Sequence, residues 1–341
     1  MKSKMNKPMV REVEIPNSSS LRRSVLYKAT PIDYPTYFLN TASARAATLI
    51  ILKYFKKTGI IKDNNSLIMV PKWLCQTYVQ LFRKHCSPIL TYAPSIKAAV
   101  IFHQYGFPQD MNEIMDYCDR MNISIIEDCA HAFECYYKGK RLGTFGLASV
   151  FSFPKLFPSI VGGGLATSNE ELYEFAITES IKIHSRWISF LYNIPLYKTI
   201  FKKPKSNIFW TSMVHGCAEY AQQMNILSLK IVSNEIRNKA LDKRRENYLF
   251  VLDYFKETEF FSDLERDGVC PYVVPLITDE KKLKKMTNSL LEKNVYTGIY
   301  HFDVNRNLFN PYYKKCIWVP VHQGLDTGKM EEICEIISSA L

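Results

Sequence analysis

An apolar run at residues 123–126 ends in Glu127 and Asp128, and a second at 147–153, which contains Ser152, is followed by Pro154 and Lys155. These are the parts that pyridoxal-phosphate (PLP) chemistry needs. A lysine amine condenses with the cofactor aldehyde and later acts as a base. A carboxylate opposite the pyridine nitrogen keeps it protonated, so that the ring accepts carbanion charge. A hydroxyl at a strand end, with backbone N–H groups at a helix start, holds phosphate. Residue types alone leave a second reading open, in which Asp128 and Lys155 are solvated charges at a strand end and in a loop.

The other polar residues take plainer readings. His103 and His322 lie in turn-like stretches and read as structural. His85, His184, His215 and His301 lack metal-ligand spacing, so no metal site is expected. Gly162, Gly163 and Gly164 lack the strand-to-helix context and the Lys-Ser/Thr pair of a P-loop, which argues against nucleoside-triphosphate binding. The nine cysteines form no C-x-x-C pair and lie mostly in apolar runs, as buried thiols of a reducing compartment do. The net charge of +11 comes in short basic groups without a nucleic-acid-binding signature and reads as a solvated face. The first twenty residues lack the apolar stretch of a secretory signal, so the expected location is the cytoplasm.

With 341 residues, 47% of them hydrophobic, the chain is long enough for one large core and a smaller one. Residues 1–20 are polar, without apolar periodicity, and read as a mobile or exchanged arm with little function. Residues 45–55 are apolar nearly all round and fit a buried helix, entered through the small residues 41–44. Apolar runs at 67–70, 98–102, 123–126 and 147–153 fit strands, and 110–121 fits a helix. Strand, helix, strand with short links is the pattern of a mostly parallel sheet covered by helices, whose ligands sit at the carboxyl ends of its strands. A further helix is expected over 170–183. The aromatic, basic stretch 187–205 is too interrupted to span a bilayer; it fits a loop near the site or a dimer contact, with a membrane-surface contact as the lesser reading. A long helical segment from about 233, a strand at 272–277 and a helix at 329–340 make a smaller unit. The expected division is an arm at 1–20, a large domain at 21–232 and a small C-terminal domain at 233–341.

Residues 125–167 resemble the signature of the DegT and StrS group of sugar aminotransferases. That pattern runs E-D-x-A-[QH]-[AS], then Y-x-G-x-x-x-G-x-x-G, then F-S-F, then a lysine followed by a Gly-Gly pair. Here these are Glu127-Asp128-Cys129-Ala130-His131-Ala132, residues 137–146, Phe151-Ser152-Phe153, Lys155 and Gly162-Gly163. His103-Gln104-Tyr105-Gly106 resembles the group's His-x-Tyr-Gly turn, and residues 320–323 its last strand.

The resemblance implies an α/β fold of the aspartate-aminotransferase type (PLP fold type I), with a large mostly parallel-sheet domain and a small C-terminal α/β domain, paired as a homodimer. It implies PLP as the cofactor. Lys155 would hold it covalently, Asp128 would meet the ring nitrogen, His131 the phenolic oxygen, and Ala130 would pack beneath the ring. Ser152 and the backbone of Ala44 and Arg45 would bind the phosphate, completed by Asn225 of a neighbouring subunit. Trp73 is the aromatic available to stack on the ring, with Cys75 as the other occupant of that position. The implied reaction is a transamination in two halves: glutamate loads the cofactor, and a keto group on a nucleotide-linked sugar is then aminated, in polysaccharide or amino-sugar biosynthesis. The chain departs from the pattern twice. Pro154 alone separates Phe153 from Lys155, where relatives have a longer spacer, and Ser43-Ala44-Arg45 replaces a glycine-containing turn. Two rivals are a PLP-dependent sugar dehydratase, which carries histidine in place of the lysine, and a non-catalytic binding protein that kept the fold.

Overall fold

The computed structural model describes residues 9–14, 26–159, 161–181, 223–261 and 264–340. The stretch 187–205, His184, His215, Cys217 and most of residues 1–20 lie outside them.

Strand β1 (Tyr37–Thr41) leads through Ser43 into helix α1 (Ala44–Thr58). The Ser43 Oγ accepts from the Ala46 N–H at 3.1 Å, and Gly59, left-handed at φ 78°, ends the helix. Its apolar sequence is explained by burial: Ala46, Ile50, Ile51 and Phe55 are fully enclosed. There follow β2 (Leu67–Met69), α2 (Gln76–Arg83), β3 (Ser87–Ile89), β4 (Ala98–Phe102), α3 (Met111–Met121) and β5 (Ser124–Asp128). The side chain of Asp110 caps α3 by accepting from the Glu113 N–H. A hairpin of β6 (Tyr136–Tyr137) and β7 (Lys140–Arg141) precedes β8 (Ala148–Ser152), β9 (Gly163–Thr167) and α4 (Glu170–Ile181).

The large sheet has the order β1-β9-β8-β5-β4-β2-β3. The strands from β3 through β8 in that order are parallel, and β9 pairs antiparallel with both β8 and β1. β4, β5 and β8 are buried along almost their whole length, as parallel strands covered on both faces must be. Phe102 stands opposite Asp128, and Asp128 opposite Val150, so the carboxyl ends of three strands open on one edge.

The chain continues as α5 (Ile226–Arg237), α6 (Ala240–Tyr254), β10 (Val273–Ile277), α7 (Glu280–Glu292), β11 (Ile299–Asp303), β12 (Tyr313–Pro320) and α8 (Thr327–Ser339). The three strands form an antiparallel sheet in the order β10-β12-β11. Three features differ from the sequence reading. The helical segment near 233 is two helices, broken where Lys239 adopts φ 54°. The last strand ends at Pro320, so His322 and Gln323 lie beyond it. Within the expected mobile arm, residues 9–14 are anchored: the Val10 N–H donates to Asn294 O at 2.8 Å, and the Tyr296 N–H to Val10 O at 2.7 Å.

No described helix is long and apolar enough to cross a membrane. All eight described cysteines are free thiols, seven of them buried and Cys75 exposed.

Candidate active site

A cavity of about 810 Å³ lies between the carboxyl ends of β4, β5 and β8, the start of α1, and the face of β11 and β12. Lys155, Asp128, His131, Ala130, Ser152, Ala44, Arg45 and Trp73 all line it. Residues scattered over more than a hundred positions therefore meet at one place. Asn225 is not brought to the cavity of its own chain; its side chain caps α5, accepting from the Ser228 N–H at 2.8 Å.

β5 ends on Glu127 and Asp128, whose side chains alternate across the sheet and do different work. Glu127 is fully buried. Its Oε1 accepts from the Phe145 and Gly146 N–H groups at 2.7 and 2.8 Å, and its Oε2 from the Gly143 N–H at 2.8 Å. His103 Nε2 lies 3.2 Å from the same Oε2, while its Nδ1 accepts from the Gln109 N–H at 3.2 Å, so the ring proton belongs on Nε2. This explains why glycines recur after the hairpin: the loop folds its amides onto one carboxylate. Cys129 lies close to both residues, but the His103 nitrogens and both Glu127 oxygens are already engaged, so the trio reads as structural.

Asp128 faces the cavity. Its Oδ1 accepts from the Ala130 N–H at 3.0 Å. Burial raises its pKa, opposed first by the hydrogen bond from the Ala130 N–H. A buried carboxyl in that condition favours a cation placed opposite it.

Lys155 follows β8 by one tight turn. The 3-10 segment Phe153–Lys155, begun by Pro154, closes with Leu156 N–H to Phe153 O at 2.9 Å. The shortened spacer is thus accommodated, and Ser152 and Lys155 both reach the cavity. Lys155 Nζ lies 2.6 Å from His131 Nε2. The Tyr105 N–H donates to His131 Nδ1 at 3.1 Å, which places the imidazole proton on Nε2 and directs it at the lysine. That contact requires a lone pair on Nζ, hence a neutral amine. Burial lowers the Lys155 pKa against the charges of Asp128, Cys75 and Glu12. Burial lowers that of His131 well below its usual value, and a proton taken up by Lys155 would lower it further, so both shifts run the same way.

His131 is held from both sides. Tyr272 stacks on it at 4.4 Å between ring centres, and the turn at Tyr105 supplies its backbone donor. That turn needs Gly106 at φ 98°, because a Cβ there would meet His131 O and Pro271 Cα at 2.8 Å. At the start of α1, Gly163 allows β9 to lie against the helix: a Cβ would stand 2.5 Å from Phe151 O and 2.6 Å from Ala44 N. Trp73 is half-exposed at the rim and stacks on His301, ring centres 4.0 Å apart and planes 5° apart. Cys75 sits beside it at the start of α2. Burial raises the thiol pKa, but hydrogen bonds from Thr77 and Tyr78 bring it below its ordinary value.

Several residues here were silent in the sequence. Arg244, in the Arg-Arg-Glu-Asn-Tyr run of α6, is fully buried and donates to the carbonyls of Pro271, Tyr272 and Leu156 at 3.3, 2.9 and 3.1 Å, and to Gln323 Oε1 at 3.0 Å. It fixes the neighbour of Lys155 and the ring on His131 together. Its run of charged residues reads as a solvated face, and nothing in the pattern singles out Arg244 as the buried one. Glu12 and Tyr300 also line the cavity, and no sequence pattern marked either.

The fit to PLP can be judged on these residues. A neutral lysine, a buried carboxylate, an imidazole N–H and a helix start bared by a glycine surround one cavity, and they match the amine, cation, phenolate and phosphate contacts the cofactor requires.

Residues 90–338 match the sequence model of the DegT/DnrJ/EryC1/StrS aminotransferase family. The UDP-4-amino-4,6-dideoxy-N-acetyl-beta-L-altrosamine transaminase of Helicobacter pylori is 22% identical over 95% of this chain and 92% of its own length. The GDP-perosamine synthase of Escherichia coli O157:H7 is 44% identical over 23% of this chain and 22% of its own. Among solved structures, Helicobacter pylori PseC, an aminotransferase involved in the biosynthesis of pseudoaminic acid, superposes with a TM-score of 0.65 at 17% identity, over 95% of this chain and 89% of that one. At that identity the likeness is one of fold.

Proposed function

Because this chain belongs to the DegT/DnrJ/EryC1/StrS aminotransferase family, we infer that it is a PLP-dependent aminotransferase that converts a keto group of a nucleotide-linked sugar to an amine. The observation that carries this reading is the meeting of Lys155, His131 and Asp128 in one cavity, with the lysine held as a neutral amine. Two of the relatives it resembles are named for nucleotide-sugar substrates or products.

When bound, PLP supplies an aldehyde to carry the amino group and a ring that accepts the electron pair released at the substrate carbon. Lys155 Nζ binds the cofactor and is the base that takes the proton from that carbon. Asp128 would hold a positive ring nitrogen, and His131 Nε2–H, which meets Lys155 Nζ in this structure, would donate to the phenolic oxygen. Ser152 and the first turn of α1 at Ala44 and Arg45 orient the phosphate. Ala130 would pack against the ring, and Trp73 or Cys75 would supply the stacking contact. Asn225 contributes from the second subunit of a homodimer. Glutamate is the amino donor we expect, the cytoplasm the location, and 1–20, 21–232 and 233–341 the arm, large and small domains.

The dehydratase reading is disfavoured because a lysine, not a histidine, stands at position 155. The test is spectroscopic. The protein incubated with PLP should show a band near the visible edge that borohydride shifts and Lys155→Ala abolishes, and glutamate with keto-sugar nucleotides should then yield amino sugar. A protein that takes up no PLP overturns the proposal.

A further inference from the structure

The carboxylate of Glu12 enters the same cavity from the N-terminal segment, and its Oε2 is shut off from water without a hydrogen-bond partner. The segment is fixed on either side. Val10 exchanges backbone hydrogen bonds with Asn294 and Tyr296, and Glu14 is close enough to Arg244 to feel its charge. Glu12 is therefore held where it is, in range of Lys155, Tyr272 and Tyr300. A buried carboxylate oxygen lacking a donor is destabilising, so an occupant that brings donors is favoured there. The cofactor contacts assigned above use Asp128, His131, Ser152 and α1, and leave Glu12 unused. Beside it, Tyr300 lies flat on Trp318 with ring centres 3.6 Å apart, and both line the cavity. An aromatic stack next to an acceptor-only group suits a polyhydroxylated ring without negative charge.

We propose that Glu12 is a specificity-determining residue, whose carboxylate accepts hydroxyl hydrogen bonds from a neutral keto sugar beside the Tyr300 and Trp318 stack and rejects sugars bearing a carboxylate. The proposal rests on the reading of this cavity as a sugar-aminotransferase site. Its test uses the full chain loaded with PLP and glutamate, then given a UDP-linked 4-keto-6-deoxyhexose or its uronic-acid counterpart. Wild type should prefer the neutral sugar by about 10-fold or more in kcat/KM, the scale of a hydrogen bond to a charged group. Glu12→Gln should lower kcat/KM for the neutral sugar about 10-fold and narrow the preference, with the cofactor band retained. Glu12→Asp should restore part of the preference, which a merely structural role would not do. Equal rates on both sugars in wild type, or a preference that Glu12→Gln leaves within twofold, overturns the assignment of Glu12. A wild type that binds PLP but aminates neither sugar overturns the reading of the site and this inference with it.

Discussion

Replacing Glu127 by glutamine changes one buried oxygen to an NH₂ group and nothing in shape, so its effect isolates the hydrogen bonding. The amide oxygen can keep the Phe145 and Gly146 N–H groups. The new NH₂ then faces the Gly143 N–H and His103 Nε2–H, donor against donor. His103 cannot answer by changing tautomer, because its Nδ1 already accepts from the Gln109 N–H. Two buried donors lose their acceptor, each at about 1–3 kcal/mol, for a total near 4 kcal/mol. Over 341 residues the unfolding entropy is about 0.7 kcal/mol per kelvin, so Tm should fall by about 6 °C. The measurement is a thermal scan of cofactor-free wild type and Glu127→Gln at one scan rate. A fall under about 2 °C would refute the view that this carboxylate organises the loop.

Gly163→Ala pushes a methyl into Ala44 N and Phe151 O, so β9 and α1 must separate. We expect about 1–3 kcal/mol of destabilisation and PLP affinity at least ~10-fold weaker in an absorbance titration; unchanged affinity would disconnect this junction from the phosphate. His322 is buried with its pKa lowered to about 3 by burial and then by the Arg244 charge. The folded protein keeps it neutral while the unfolded chain takes up a proton near pH 6.5. Its contribution is therefore complete above pH 6.5 and lost as pH falls toward 3, by at most about 1.4 kcal/mol per pH unit. Between pH 7 and 5, Tm should fall less for His322→Gln than for wild type; equal falls would contradict this.

The large sheet was legible because its strands are short apolar runs between turn residues, and β4 occupies the whole run at 98–102. The edge strand β1 was not, since Tyr37–Thr41 is half-exposed and mixes polar with apolar residues. The break at Lys239 hid for a related reason: a lysine is an ordinary helix former, and its type gives no sign of the left-handed backbone it adopts there. The residues at the ends of β5 and β8 could be named because their types are chemically specific and lie near one another in sequence. Glu12 and Tyr300 could not, because their importance comes from contacts across more than a hundred residues. Composition made residues 1–20 look idle, whereas the Val10 pairing depends on a partner segment at the other end of the chain.

The four acceptors of Arg244 belong to residues 156, 271, 272 and 323. Lys155 precedes Gln323 by 168 residues, so the guanidinium that steadies the residue after Lys155 lacks one of its four acceptors until Gln323 is made. A chain cut short of Gln323 would therefore contain Asp128 and Lys155 but lack part of the acceptor set with which Arg244 holds Leu156 and Tyr272 together.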